Sequence, residues 1–104
     1  MGKYHNKKTV IGDMTFDSQA EARRYQELKL LEAAGEIRDL GLHHKFPFIV
    51  NDIKIGFYAC DFIYHDKSGQ VVVEDVKGVK TAVYQLKKKL MFALYHIVIV
   101  EVAA

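Results

Sequence analysis

Apolar positions recur along this chain in two rhythms. The segment QAEARRYQELKLLEAA is rich in helix formers and ends at Gly35, a stop signal, and Ser18-x-x-Glu21 ahead of it has the form of a capping box. This predicts a helix over 18–34, with Glu21, Tyr25 and Leu28 on one stripe. The rhythm then shifts to that of extended chain. HKFPFIV (44–50) reads as a strand that its proline places at an edge or a strand start, and Asn51-Asp52 as a turn. KIGFYACDFIYH (54–65) reads as one long aromatic strand, and QVVVEDVK (70–77) as its hairpin partner across a turn at 66–69. After Gly78, TAVYQLKKKLMFALYH predicts a second helix over 81–96, with Thr81 as N-cap and Val83, Leu86, Leu90, Ala93 and Leu94 as its apolar stripe. IVIVEV (97–102) closes the chain as a β-branched run of the kind buried on both faces of a sheet. A right-handed β-α-β crossover would set this last strand parallel to 70–77. The expected class is α/β, a small mixed β-sheet flanked by two helices in the order α-β-β-β-α-β.

Composition narrows this picture. With 104 residues, half of them hydrophobic and about a quarter charged, the chain is expected to form one folded domain over 1–104, with 1–15 as a basic N-terminal arm. No apolar run reaches the roughly 20 residues of a membrane helix, and no signal peptide is legible. The single cysteine, Cys60, fits a reducing cytoplasm, so the expected location is cytoplasmic and away from membranes. No Cys or His pair has zinc spacing. His43 and His44 read as surface or structural, since adjacent side chains on extended backbone point to opposite faces.

Charge adds a direction. The net charge is only +2, but no acid lies between Val76 and Val100, where Lys77, Lys80, Lys87, Lys88 and Lys89 fall, and Lys3, Lys7 and Lys8 add to the N-terminal arm. One-signed charge along a segment suits a polyanion; a solvated helix face is the alternative.

The chemistry concentrates at VVVEDVKG (71–78). In a strand, Asp75 and Lys77 share a face with Val73, while Glu74 faces the other way with Val72 and Val76. Asp61 lies on the preceding strand between Cys60 and Phe62, where an acid is costly unless paired or bound to metal. The hairpin lets Asp61 and Asp75 approach. Two carboxylates and a lysine fit metal-assisted phosphodiester hydrolysis: the acids hold a hard cation such as Mg²⁺, and the lysine steadies water or phosphoryl charge. The alternative is an Asp75–Lys77 ion pair, with Asp61 as a charge against edge aggregation. Two readings also stand for Glu21, a third acid of the site or the capping-box partner of Ser18.

Asp61, then thirteen residues, then Asp75-Val76-Lys77, on elements in this order, resembles the PD-(D/E)XK nuclease superfamily with its restriction-endonuclease-like core. Phe16-Asp17-Ser18-x-x-Glu21-Ala22, Tyr58-x-x-Asp61-Phe62-x-Tyr64 and Glu74-Asp75-Val76-Lys77-Gly78 look like a phage-encoded family within it, similar in size and order to the archaeal-type Holliday junction resolvases. The resemblance implies Asp61 and Asp75 as metal-binding acids, Lys77 as the catalytic lysine, the Val76 carbonyl as a further metal ligand and Glu21 as the helix acid. It also implies DNA contacts from the second helix, with Lys80, Thr81, Tyr84, Gln85 and Lys88 as candidates beside Lys3, Lys7 and Lys8. Cys60 stands where the superfamily motif has its proline.

The leading expectation is therefore an Mg²⁺-dependent endonuclease (Mn²⁺ substituting) acting on branched double-stranded DNA, of the Holliday junction resolvase type. Paired symmetric nicks require a homodimer, with Met91, Phe92 and Tyr95 as interface candidates. The chain has no room for a sequence-reading module, so recognition would rest on phosphates and DNA shape. A flap, nicking or general nuclease of the same fold is the second reading, and a non-catalytic DNA-binding protein the third.

Overall fold

The computed structural model describes residues 8–104. At its centre is a four-stranded sheet built from β3 (Ile37–Leu42), β6 (Phe62–Asp66), β7 (Val71–Lys77) and β8 (Val100–Ala103) in the order β3-β6-β7-β8. The first two pairings are antiparallel; β7–β8 is parallel, as the crossover through α2 (Ala82–Tyr95) requires. Helix α1 (Gln19–Ala33) covers one face and α2 the other. The fold is thus a small mixed α/β sheet with two helices.

Both helices start where their caps predict. Ser18 Oγ accepts from Glu21 N at 3.1 Å, and Thr81 Oγ1 accepts from Tyr84 N at 3.1 Å. The β6–β7 turn is fixed by Asp66, whose Oδ1 accepts from Ser68 N, Ser68 Oγ and Gln70 N.

Several expectations are corrected. Residues 9–15, assigned to a basic arm, form with Phe16 a hairpin of β1 (Thr9–Ile11) and β2 (Met14–Phe16) around Gly12-Asp13, and Phe16 is buried against α1. Strand β3 had no clear sequence pattern; its register shifts between Arg38 and Gly41, and this irregularity breaks the alternation. The long aromatic strand is two strands. Its first part is β5 (Ile53–Ala59), which among the described residues pairs only with β4 (Lys45–Val50), in a separate hairpin packed on α2; its second part is β6. The change of partner falls between Cys60, whose N–H donates to His44 O, and Asp61, whose N–H donates to Glu74 O.

Helix α2 is rotated from its expected orientation. Tyr84 and Met91 are buried, while Val83 and Leu86 are 63% and 58% exposed. Half-exposed Lys88 is held by an ion pair to Glu101, which hydropathy alone does not register. Met91 is fully buried, so it is not available to an interface; Phe92 and Tyr95 remain exposed, with Tyr95 Oη donating to Pro47 O at 2.5 Å. β8 is an edge strand, with Val100 and the preceding Val98 exposed, and not a strand buried on both faces, because among the described residues no further strand pairs beyond it.

Two apolar clusters sit on opposite faces of the sheet. One joins Phe46, Phe48, Tyr58, Cys60, Val73, Tyr84, Met91 and Ile99; the other joins Phe16, Ala22, Leu28, Ile37, Phe62 and Tyr64. Among the described residues no helix is long and apolar enough to cross a membrane.

Candidate metal and phosphate site

The partner switch at Cys60–Asp61 creates the site. Phe62 is opposite Glu74 in the register, so Asp61, one residue earlier, lies across from Asp75. Asp61 is outside the regular ladder, and its side chain turns back to accept from Val76 N through Oδ2 at 2.7 Å. Asp75 is buried on the α2 side. Tyr58 Oη donates to its Oδ2 at 2.5 Å, and Lys77 Nζ stands 3.4 Å from its Oδ1. The Lys77 ammonium also lies over the Tyr84 ring, 4.3 Å from its centroid, so one lysine is held between a carboxylate and an aromatic face.

From the other face of the sheet comes Glu21. Its backbone N–H serves the Ser18 cap while its carboxylate is buried and turned inward. The main chain of residue 21 takes the Ser18 cap, and the carboxylate that a capping box would use is turned inward instead. Its Oε2 lies 3.2 Å from His43 Nε2, and ligand atoms of Glu21, His43 and Asp61 all fall within 4.8 Å of one another. His43 was read as surface or structural. It is not on extended backbone: φ is +55° and its N–H donates to Asp61 O at 3.3 Å, which brings its ring toward Glu21. Only the partner switch at residue 61 shows this, and a single histidine carries no spacing signal.

Electrostatics sets these acids apart. The Asp61 carboxyl is pushed up to about 8, first by burial and then by the charges of Asp75 and Glu21, against the opposing effect of the Val76 N–H. The Cys60 thiol is pushed up to about 11, chiefly by burial, and is a core group rather than a nucleophile. The other acid of β7 is neutralised. Glu74, buried on the α1 side, takes a bidentate grip from Arg24 at 2.8 and 2.7 Å and a hydrogen bond from Tyr64 Oη.

The donor set fits a divalent cation. Oxygen-rich carboxylates gathered in a partly buried place favour a hard ion, and their mutual repulsion is what such an ion relieves. An open cleft of about 290 Å³, lined by Phe57, Tyr58, Asp75, Lys77, Thr81 and Lys87 among others, leads to the Asp75 side.

The expected DNA contacts separate into groups. Lys3 and Lys7 lie outside the described residues. Lys8 is exposed, 3.7 Å from Asp17. Lys80 and Lys88 do not stand free: Glu101 on β8 draws both, at 2.9 and 3.1 Å, and accepts from Tyr84 Oη at 2.8 Å. These contacts, Lys80 first, pull the Glu101 carboxyl down to about 2. Glu101 lies just past the acid-free stretch, so the sequence hid this neutralisation. Tyr84 is buried, which limits it to shaping the site; Gln85 is exposed beside Lys89 and Phe92. Thr81 lines the cleft beside Lys87, and Lys87 itself lies over the Phe57 ring.

The chain belongs to the family described as protein of unknown function DUF1064, whose model matches residues 1–102. No curated protein and no solved structure matches it.

Proposed function

We propose that this chain is a metal-dependent, structure-selective DNA endonuclease with a PD-(D/E)XK, restriction-endonuclease-like core, and that it acts as a Holliday junction resolvase making paired symmetric nicks. The observation that carries the reading is the meeting of Asp61 and Asp75 across β6–β7, with Lys77 beside Asp75 and Glu21 directed in from α1.

Asp61, Asp75, the Val76 carbonyl and Glu21 would hold the ion, Mg²⁺ or Mn²⁺. A divalent cation bound there would polarise a phosphoryl oxygen and lower the pKa of an attacking water. The chain's own groups do the rest. Tyr58 fixes the Asp75 carboxylate through one oxygen. Lys77, at the other oxygen, keeps an ammonium at the cleft, where it orients water and offsets charge building on phosphate. Thr81 and Lys87 line the approach for the DNA backbone. Paired nicks require two sites related by a two-fold axis, hence a homodimer.

The test is cleavage of a labelled synthetic four-way junction, beside matched duplex and flap substrates, with Mg²⁺ or chelator. Symmetric nicks that need Mg²⁺ are expected, and Asp75→Asn should slow them by roughly 10²–10³-fold. Flap cutting alone, or indiscriminate cutting, would remove the resolvase assignment while keeping a nuclease. Junction binding without cleavage under any metal would leave a DNA-binding protein.

A further inference from the structure

Glu21 and Glu74 are both buried acids facing the α1 layer, yet the chain supplies a guanidinium to only one. Glu74 has Arg24. Among the described residues no lysine or arginine lies within ion-pair distance of Glu21, and its one such partner is His43 Nε2 at 3.2 Å. A buried carboxylate without a fixed cation is costly to keep ionised. Here it is aimed at a second carboxylate, Asp61, and at an imidazole that is 54% exposed and stands at the mouth of the group. The three donor atoms lie within 4.8 Å of one another, near the roughly 4 Å between opposite ligands of one first-row metal ion, so small side-chain movements would bring them onto it. His43 is held there by its own main chain, through the N–H bond to Asp61 O and a left-handed φ.

We propose that His43 is a nitrogen ligand that completes this site with Glu21 and Asp61 and biases it toward a first-row transition ion such as Mn²⁺ over Mg²⁺. The inference rests on the metal-site reading above. Mg²⁺ seeks an all-oxygen octahedron and keeps its waters, whereas imidazole nitrogen is a good donor to transition ions. A site made only of Glu21, Asp61 and Asp75 would have no such bias.

The test uses the full chain without DNA. Mn²⁺ binding is followed by loss of the free-ion EPR signal, Mg²⁺ is added as competitor, and pulsed EPR reads nitrogen coupled to bound Mn²⁺. The variant is His43→Gly, because glycine accepts the left-handed φ and removes only the ring. Wild type should bind Mn²⁺ more tightly than Mg²⁺ and show the coupling of one imidazole. His43→Gly should weaken Mn²⁺ binding roughly tenfold or more, leave Mg²⁺ binding unchanged, and lose the nitrogen signal, which free imidazole should restore. Bound Mn²⁺ with no nitrogen coupling, unchanged Mn²⁺ affinity in the variant, or no Mn²⁺ binding at all would overturn the inference. Imidazole-coordinated Mn²⁺ in a chain that cuts no DNA would keep it and remove the endonuclease reading. Junction cutting without nitrogen coupling would do the reverse.

Discussion

Glu74 and Asp75 are neighbours on β7, both are buried, and they face opposite layers of the molecule. On the α1 side, Glu74 meets a guanidinium that grips both oxygens and a tyrosine hydroxyl. Every lone pair it needs is used, and the Tyr64 hydroxyl is in turn pushed up to about 12, by burial and by that bond. On the other side, Asp75 has a hydroxyl and a lysine at 3.4 Å; Asp61 across from it, and Glu21 reaching Asp61 from α1, have no lysine or arginine partner among the described residues. A buried acid that the chain neutralises itself is a building component. The acids left short of positive charge are the ones at which the proposed cation would bind.

The contrast can be broken at Glu74. Glu74→Ala leaves Arg24 and Tyr64 without their partner and should cost about 3–5 kcal/mol in urea unfolding. Asp75→Asn, one residue on, should change stability by about 1 kcal/mol or less, because the Tyr58 bond can still form. Equal losses at the two positions would erase the distinction.

A milder change sharpens it. Tyr58 touches Asp75, so in the proposed nuclease it would act by positioning that carboxylate. Tyr58→Phe should lower Mn²⁺ affinity and junction cleavage together by roughly tenfold, with melting temperature little altered. A loss of cleavage at full metal occupancy would instead place the hydroxyl in the chemistry.

The smallest effect concerns pH in the metal-free protein. The folded-state value of Asp61, about 8, lies above the ordinary value of about 3.9. A raised value means the fold favours the protonated acid. Its contribution is therefore complete below about pH 4 and is lost as pH rises toward 8. Asp61→Asn is permanently neutral, so its stability relative to wild type should grow between pH 7 and pH 8, by about 1 kcal/mol. Urea titrations at several pH values with chelator present would measure this, and a flat difference would refute it.

Much of this arrangement was legible in the sequence because it is local. Ser18 and Thr81 mark helix starts, the turn at 66–69 marks a hairpin, and alternation places Asp75 and Glu74 on opposite faces. The Gly12-Asp13 turn, flanked by β-branched and aromatic residues, was a readable hairpin signal masked by the basic residues before it. Other features depend on contacts between distant segments. The strand break at Cys60–Asp61 exists because two sheets compete for one chain. Val83 and Leu86 look like core but face outward, since the buried residue is Tyr84, whose hydroxyl bonds Glu101, 17 residues away. His43 joins Glu21 across 22 residues, a distance at which no periodic pattern speaks.

The Arg24–Glu74 pair has one more consequence. A strand is ambiguous by one residue: sliding β7 a single step along β6 would exchange Glu74 and Asp75 between layers and turn every valine over with them. Both residues are acids, and VVV offers three similar apolar positions, so hydropathy alone opposes that slip weakly. The two-pronged guanidinium opposes it, because a strand displaced one way would offer Arg24 Val73 and displaced the other way only the shorter Asp75. The pair farthest in character from the chemistry thus acts as an alignment pin, and it decides which of two adjacent carboxylates the cleft receives.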